Sequence, residues 1–275
     1  MKHQQIGFIG GGNMAGSLIS GLIAEGYEHE KLWVSDIDQG KLDSLKERFN
    51  INTTSDTPAL VQEVDILVYA VKPQILRSVV EVVASSLHKN GPLMISIAAG
   101  IRIQDFEKWL GKPTAIVRCM PNTPALVQSG ATALYASATA NEEQRDIAET
   151  IMRAVGLTVW VHDESDLDSV TALSGSGPAY FFLLMEAMEN VAKDMGLEEQ
   201  TARLLVQQTA YGAAKLALEA TEGPAELRQR VTSPGGTTER ALQIFEQEGF
   251  RSAVSKAVNA ARDRSIELSI KIGDK

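Results

Sequence analysis

The residues of this 275-residue chain that could do chemistry begin with a glycine turn near its start. The stretch Ile6–Gly16 reads as a short apolar strand that runs into the pattern G-x-G-x-x-A, carried by Gly10, Gly12 and Ala15. In such a turn the first glycine permits a tight bend, the second lets a pyrophosphate approach the backbone, and the small third residue lets the next helix pack closely. The N-terminus of that helix adds free N–H groups and the positive end of its dipole. These residue types predict a dinucleotide site.

A carboxylate at a suitable distance supports this interpretation. The next apolar strand, Leu32–Ser35, ends at Asp36, about 20 residues beyond the turn, where a ribose-binding carboxylate is expected. A helical pattern of apolar residues separates the turn from that strand: Leu18, Ile19, Leu22 and Ile23. This context favours a dinucleotide site over the alternative that the glycines serve only tight packing of a strand and a helix.

Small residues and prolines cluster after three further apolar runs, at Ala70-Val71-Lys72-Pro73, Ala98-Ala99-Gly100 and Pro121-Asn122-Thr123-Pro124. Small side chains let a nicotinamide ring lie against the backbone, and rigid turns hold the walls of its pocket. Ordinary turn chemistry at strand ends explains any one of these stretches. Their occurrence together favours a pocket.

Two further loops lie in the second half of the chain. Thr171–Pro178 is a turn of small residues before a long helical segment, and Pro178 at the start of that segment is by itself a helix-start signal. Val231–Thr238 contains two consecutive glycines and several hydroxyls before another helical segment. Its backbone N–H groups and hydroxyls form a cradle suited to a carboxylate. Helix capping is the alternative, because hydroxyls at a helix start are usually caps.

The first half of the chain must position these residues through an α/β fold. Short apolar runs alternate with amphipathic segments up to about Val161, which predicts repeated β-α units and a largely parallel sheet. Right-handed crossovers place the carboxyl ends of the early strands on one edge, where ligands of open sheets bind. Strands are predicted at Ile6–Gly10, Leu32–Asp36, Val64–Val71, Leu93–Ile97, Thr114–Cys119, Ala131–Ala136 and Leu157–Val161, and helices near Gly12–Ala24, Gln39–Phe49, Ile75–Leu87, Ile103–Trp109 and Glu142–Val155.

The second half changes to long helical segments without alternating strands. The predicted boundary lies near His162-Asp163-Glu164, giving an α/β dinucleotide-binding domain over residues 1–162 and an all-helical domain over residues 163–275. The segments Ala179–Met188 and Ala202–Leu218 carry apolar residues on several faces. Roughly 110 residues can hardly bury such helices alone. We therefore expect an isologous dimer through this half, with one unusually buried bundle as the alternative.

Composition excludes several other classes of function. A formal net charge of −9 and a pI near 5.1 disfavour binding to nucleic acid or to an anionic membrane. No apolar run is long enough for a membrane span and no signal peptide is evident, so a cytoplasmic location is expected. Cys119 is the single cysteine and reads as a small strand residue, and the four histidines lack metal-ligand spacing. No metal site is predicted.

These motifs together resemble the pyrroline-5-carboxylate reductases, the enzymes of the last step of proline synthesis. The resemblance spans nearly the whole chain and rests on Gly10–Ala15, Ala70–Pro73, Arg118–Pro124, Ser174–Tyr180 and Ser233–Thr238, of which the last two are highly specific in combination. It implies an N-terminal Rossmann domain, a helical C-terminal domain that dimerises by interleaving, and often higher assemblies built from dimers. It also implies NADPH or NADH as cofactor and 1-pyrroline-5-carboxylate as substrate.

The resemblance assigns roles to named residues. The substrate carboxylate is expected in the loop that matches Ser233–Thr238, and the Thr238 hydroxyl is expected to approach the ring nitrogen in a catalytic role. The expected substrate-binding residues are Val231, Ser233, Gly235, Gly236, Thr237, Thr238 and Pro178. The expected cofactor-binding residues are Gly10, Gly11, Gly12, Asn13, Met14, Ala15, Ser35, Asp36, Ala70, Val71, Lys72, Pro73, Ala98, Ala99, Gly100 and Asn122.

One departure from the family pattern bears on the choice of cofactor. Members that prefer NADPH commonly present Ser or Asn followed by Arg after the second strand, where this chain has Asp36-Ile37. A carboxylate there favours a ribose 2′-OH and repels a 2′-phosphate. Lys41 is close enough in sequence to reach a phosphate. We therefore expect use of NAD(P)H with tolerance of NADH.

The expected chemistry is hydride transfer to the C=N carbon of the substrate. A protonated imine is already an electrophile, so positioning supplies much of the acceleration and no strong side-chain acid is required. The proton comes from solvent, the substrate or a side chain. A β-hydroxyacid dehydrogenase is the nearest rival, but its family's catalytic Lys has no counterpart between Thr171 and Lys193. A non-catalytic dinucleotide sensor would not need the Ser233–Thr238 cradle.

Overall fold

The computed structural model describes residues 4–87 and 91–273. The chain divides into two compact units, one formed by residues 1–176 together with 261–275, the other by residues 177–260. Residues 163–275, which the sequence analysis predicts as one helical domain, are therefore divided between the two units. The helix predicted at Ile75–Leu87 is observed at Pro73–Ala84.

The first unit is an α/β layer structure built on one eight-stranded sheet with the order β3-β2-β1-β4-β5-β6-β7-β8. Its strands are β1 (Ile6–Ile9), β2 (Leu32–Ser35), β3 (Asn52–Thr54), β4 (Ile66–Tyr69), β5 (Leu93–Ser96), β6 (Ile116–Met120), β7 (Gly130–Ala136) and β8 (Gly156–Trp160). All neighbours pair in parallel except β6 and β7. The predicted largely parallel sheet is confirmed.

The helices of this unit follow the predicted alternation with the strands. They are α1 (Asn13–Ala24), α2 (Gln39–Phe49), α3 (Thr57–Glu63), α4 (Pro73–Ala84), α5 (Ile103–Leu110), α6 (Glu142–Arg153) and α7 (Asp166–Val170). The sequence pattern missed β3, α3 and α7. β3 is a short strand of polar residues that are only half-buried, and α3 and α7 are too short to show an apolar periodicity.

Both faces of the central strands β1, β4, β5 and β6 are buried, which explains why these strands read as continuous apolar runs. Successive residues of a strand alternate between two clusters: Phe8 and Val68 pack on one face, and Leu67 and Tyr69 on the other. Tyr69 contacts Phe106 of α5 edge-on, with ring centroids 5.3 Å apart. The two cores hold the strand ends in fixed positions relative to one another.

The second unit is helical, as predicted. Its helices are α8 (Gly177–Asp194), α9 (Glu199–Glu219), α10 (Pro224–Arg230), α11 (Thr237–Gln247) and the first part of α12 (Phe250–Gly273). Large apolar side chains of α8 and α9 are exposed in the single chain, among them Phe181, Phe182, Leu183, Leu204, Leu205 and Tyr211. Only Ala202 and Val206 of α9 are buried. These helices present more apolar surface than a single copy of the unit covers.

Gly21 provides a test of how tightly α1 packs in the first unit. A Cβ added there would overlap the carbonyl oxygen of Ala154, which is backbone and cannot swing away. We expect Gly21→Ala to lower the free energy of unfolding by about 1–3 kcal/mol, the usual cost of overpacking. The measurement is urea unfolding followed by circular dichroism.

Gly16→Ala in the same helix is the matched control. Its added Cβ would meet Leu45 Cδ2 at 3.7 Å, an ordinary contact, and alanine favours a helix over glycine by about 0.5–1 kcal/mol. This variant should be as stable as the wild type or slightly more so. Equal unfolding midpoints for the two variants would contradict the close packing of α1.

Candidate functional site

The glycine turn between β1 and α1 is shaped by close backbone contacts. Gly10 has a φ of +101°, and its N–H donates to the Ser35 carbonyl at 2.7 Å. A Cβ on Gly10 would lie 2.7 Å from the carbonyl oxygen of Ala70. By contrast, nothing lies within 4 Å of a Cβ built on Gly12, the N-cap of α1. The turn is therefore closed towards the sheet and open at the helix N-terminus, as a phosphate site requires.

The Asp36 carboxylate turns back onto this glycine turn. Its Oδ2 accepts the N–H of Gly11 at 2.7 Å, its Oδ1 accepts the N–H of Asp38 at 2.9 Å, and the Lys41 Nζ lies 3.6 Å away. Burial raises the pKa of this carboxyl, but the two N–H groups and the ammonium outweigh burial, so the pKa lies below its ordinary value. Asp36 is ionised, and it joins the end of β2 to the turn after β1.

A cleft of about 550 Å³ opens beside the turn. The glycine turn contributes Gly11, Gly12 and Asn13, and α2 contributes Lys41, Ser44 and Arg48 on the opposite side. Free helix N–H groups, a carboxylate beside the turn and two cations suit a pyrophosphate with its attached ribose. The residues of this edge therefore fit a dinucleotide.

The other predicted cofactor residues lie at the carboxyl ends of neighbouring strands. Met14 and the fully buried Ala15 are on α1, and Ser35 ends β2 with its Oγ 2.5 Å from Thr57 Oγ1. The remaining stretches follow β4 and β5: Ala70, Val71, Lys72 and Pro73, and then Ala98, Ala99 and Gly100. Because β2, β1, β4, β5 and β6 are consecutive in the sheet, these residues share one edge. Their contacts with a cofactor stay predictions.

Asn122 follows β6 at the same edge, but its side chain is used within the protein. Its Oδ1 accepts the N–H of Ala131 at 2.9 Å, and its Nδ2 donates to the Oγ of Ser174 at 3.0 Å. Ser174 lies in a π-helical turn, Thr171–Gly175, that precedes α8. The sequence did not indicate this contact, since the two side chains are far apart in the chain.

A partly buried ion pair fixes the segment after β8. Arg118 of β6 is 8% exposed, and its Nη1 lies 2.6 Å from the Oε1 of Glu164. The same oxygen accepts the N–H of Ile103, the first residue of α5, at 2.7 Å. The pair thus joins β6, α5 and the start of the segment that carries Ser174. Sequence reasoning missed it, because neither residue stands in a pattern that marks a partner.

The loop predicted as an anion cradle lies directly before α11 in the second unit. Gly235 has a φ of +71° and donates its N–H to the Glu239 carboxylate at 2.8 Å, while Gly236 donates its N–H to the Ser233 carbonyl at 3.0 Å. α11 begins at Thr237, with Gly236 as its N-cap and no side-chain cap. The N–H groups of Thr237 and Thr238, in the first helical turn, have no intrahelical acceptor.

This geometry bears on the capping alternative. Thr238 is the second residue of α11, so its hydroxyl is not the cap of that helix. Val231, the first residue of the loop, is exposed, and Pro178 is the second residue of α8. Glu239 escaped the sequence reasoning, although a Glu three residues after an N-cap is a known signal for a side chain that reaches back to the loop. The cradle already holds a carboxylate, that of Glu239.

Cys119 is buried in β6, and burial raises the pKa of its thiol far above the ordinary value. Within residues 4–87 and 91–273, no group of three or more His, Cys, Asp or Glu side chains could hold a metal ion. No helix among these residues is long and apolar enough to cross a membrane.

Two family descriptions match the chain. Residues 164–268 match "Pyrroline-5-carboxylate reductase dimerisation", and residues 5–100 match "NADP oxidoreductase coenzyme F420-dependent". The pyrroline-5-carboxylate reductase of Pseudomonas aeruginosa is 46% identical over 99% of this chain and 100% of its own length. The corresponding protein of Escherichia coli is 38% identical over 97% of this chain and 99% of its own length.

Solved structures agree with these sequence relatives. The pyrroline-5-carboxylate reductase of Coxiella burnetii superposes with a TM-score of 0.92 at 46% identity, covering 96% of this chain and 98% of that chain. The pyrroline carboxylate reductase of Plasmodium falciparum, solved with NADP bound, superposes with a TM-score of 0.86 at 30% identity, covering 98% of this chain and 99% of that chain. The match to the dimerisation family and the full-length similarity to these proteins lead to one conclusion: the chain belongs to the pyrroline-5-carboxylate reductase family.

Proposed function

We propose that this chain reduces 1-pyrroline-5-carboxylate to L-proline with NADH or NADPH, and that the loop Val231–Thr238 holds the substrate carboxylate. Membership of the family makes the chain an NAD(P)H-dependent oxidoreductase of proline synthesis. The observation that supports the assignment of the loop is the start of α11 at Thr237 without a side-chain cap, which leaves the N–H groups of Thr237 and Thr238 as donors for a carboxylate. We also propose a cytoplasmic location, since the reaction consumes a reduced dinucleotide that cells keep inside.

The chain's own residues supply binding and orientation. The N–H groups of Thr237 and Thr238, at the positive end of α11, attract the substrate carboxylate. The Thr238 hydroxyl hydrogen-bonds the ring nitrogen and so fixes the orientation of the C=N bond. Nicotinamide, when bound beside the substrate, would supply the hydride for the C=N carbon, and a proton would complete the amine. Because the imine is already an electrophile when protonated, its orientation accounts for much of the acceleration.

Thr238 provides the test of this function. Thr238→Ala should lower kcat/KM for 1-pyrroline-5-carboxylate by about 10- to 100-fold, the scale of a lost hydrogen bond to a charged group. Cofactor affinity and the thermal midpoint should hardly change, because the hydroxyl caps no helix. Thr238→Ser keeps a hydroxyl and should retain most of the activity. A Thr238→Ala enzyme with unimpaired kcat/KM would remove Thr238 from the reaction.

The choice of cofactor can be tested at Asp36 and Ile37, whose side chain is 95% exposed. Asp36→Asn removes the charge and keeps one oxygen for the Gly11 N–H, although its Nδ2 cannot accept the N–H of Asp38. Ile37→Arg adds a fork of donors for a 2′-phosphate. In the double variant the NADPH/NADH ratio of kcat/KM should rise by about 10-fold or more, the worth of one charge-assisted hydrogen bond.

The control for this experiment is Asp38→Asn. Asp38 lines the same cleft and caps α2, and an asparagine keeps the cap while removing one nearby charge. This variant should change the ratio much less than the double variant does. If the NADPH/NADH ratio of kcat/KM changed equally in Asp38→Asn and in the double variant, the ribose would not be bound beside Asp36.

The C-terminal region forms homo-oligomers, as the match to the family's dimerisation domain indicates. We propose that the basic assembly is an isologous dimer and that the exposed apolar faces of α8 and α9 are its interface. The support is physical: side chains such as Phe181, Leu204 and Leu205 are exposed in one copy and apolar enough to require a cover. Larger assemblies would then be built from such dimers.

Leu205, 55% exposed in the single chain, tests the interface. Leu205→Glu would place an unpaired charge in the dimer and should lower the mass measured by sedimentation or the yield of soluble protein. Gln207→Glu is the matched control, because it adds the same charge at an exposed polar position of the same helix. A wild-type protein that sediments as a monomer at micromolar concentration would contradict the proposed dimer.

A further inference from the structure

The orientation of the Asn122 carboxamide is determined by its neighbours. A backbone N–H can only donate, so the side-chain atom that faces the N–H of Ala131 must be the oxygen, Oδ1, at 2.9 Å. The atom that faces Ser174 is therefore the nitrogen, Nδ2, at 3.0 Å from the Ser174 Oγ. In this pair Asn122 donates and the serine oxygen accepts.

This polarity leaves the hydroxyl hydrogen of Ser174 available. A serine hydroxyl has one O–H donor and two lone pairs, and Asn122 occupies a lone pair. Ser174 is half-buried, and among the hydrogen bonds of residues 4–87 and 91–273 none is donated by its Oγ. The hydroxyl is thus turned so that its donor points away from Asn122.

The turn that carries Ser174 is held against the end of β6. Thr171–Gly175 is a single π-helical turn, a distortion that is frequent at functional sites. A Cβ added to Gly175 would lie 2.6 Å from the Cε of Met120, the last residue of β6. β6 is parallel to β5, so its end lies at the edge of the sheet where ligands of such folds bind.

We propose that Asn122 is a positioning residue, which holds the Ser174 hydroxyl as a hydrogen-bond donor to an oxygen of the ligand bound at the end of β6. This inference rests on the proposed function. The acceptor is an oxygen, either on the nicotinamide carboxamide or on the substrate. The role differs from a contact between Asn122 and the cofactor, because Asn122 acts through Ser174.

Asn122→Asp tests the polarity of this hydrogen bond while keeping the tether. An aspartate oxygen still accepts the Ala131 N–H, and the other oxygen accepts from Ser174, so the bond survives but its direction is reversed. The assay is run near pH 8, about four units above the ordinary pKa of aspartate, so that the carboxylate cannot donate. The donor to the ligand is then lost without loss of the contact between β6 and the π-helical turn.

We expect Asn122→Asp and Ser174→Ala each to lower kcat/KM for 1-pyrroline-5-carboxylate by about 10-fold, the scale of one hydrogen bond. The thermal midpoint of Asn122→Asp should stay near that of the wild type. A rise in the dissociation constant of NADPH, measured by fluorescence titration, would identify the nicotinamide carboxamide as the acceptor. A rise in KM for the imine alone would identify the substrate.

The double variant Asn122→Asp with Ser174→Ala separates two effects of the aspartate: the reversed direction of the hydrogen bond and the added negative charge. If Asn122 acts through Ser174, Asn122→Asp should have less than about a 2-fold effect on kcat/KM in the Ser174→Ala background, because the two changes remove the same interaction. An equal loss in both backgrounds, or wild-type kcat/KM in the single Asn122→Asp variant, would overturn the proposal. Wild-type turnover reports the proposed function independently, and the ratios between variants report the role of Asn122.

Discussion

The rest of the first unit depends on the close approach of three backbone segments at Gly10. Its N–H is bonded to the carbonyl of Ser35, its α-carbon faces the carbonyl of Ala70, and its positive φ directs the chain into α1. Any side chain at this position would separate the ends of β1 and β4. The Asp36 carboxylate extends the same junction by binding the N–H of Gly11. One glycine thus sets the direction of a helix N-terminus and the place of a negative charge beside it.

Within the described residues, apolar runs were sufficient to predict seven of the eight strands, because the central strands are buried on both faces and read as short continuous hydrophobic stretches. The missed strand, Asn52–Thr54, is polar and only half-buried, so no apolar pattern marks it. The antiparallel pairing of β6 with β7 was equally hidden, since strand direction depends on the length and path of the connection. The glycine turn was recognisable for a different reason. Its backbone geometry requires glycines at a fixed spacing, and that spacing is visible in the local sequence.

Long-range side-chain contacts were not predictable in the same way. The pairs Arg118 with Glu164 and Asn122 with Ser174 each join residues more than 40 positions apart, and nothing local in the sequence marks either partner. Both pairs begin in or just after β6 and hold the segment between β8 and α8. In the second unit, the predicted cradle has fewer free N–H groups than the glycines suggested, because Gly235 and Gly236 bond to Glu239 and Ser233. The donors that remain belong to the first turn of α11.

We propose that the glycine turn after β1 and the loop Val231–Thr238 together serve the reduction of a cyclic imine that carries a carboxylate. The most direct test is to follow the absorbance of NADH and NADPH with the purified wild-type protein as 1-pyrroline-5-carboxylate is added, and to quantify proline in the same samples. We expect oxidation of the dinucleotide that depends on the imine and forms one proline for each dinucleotide consumed. Absence of dinucleotide oxidation at saturating imine, or oxidation without proline, would contradict the account.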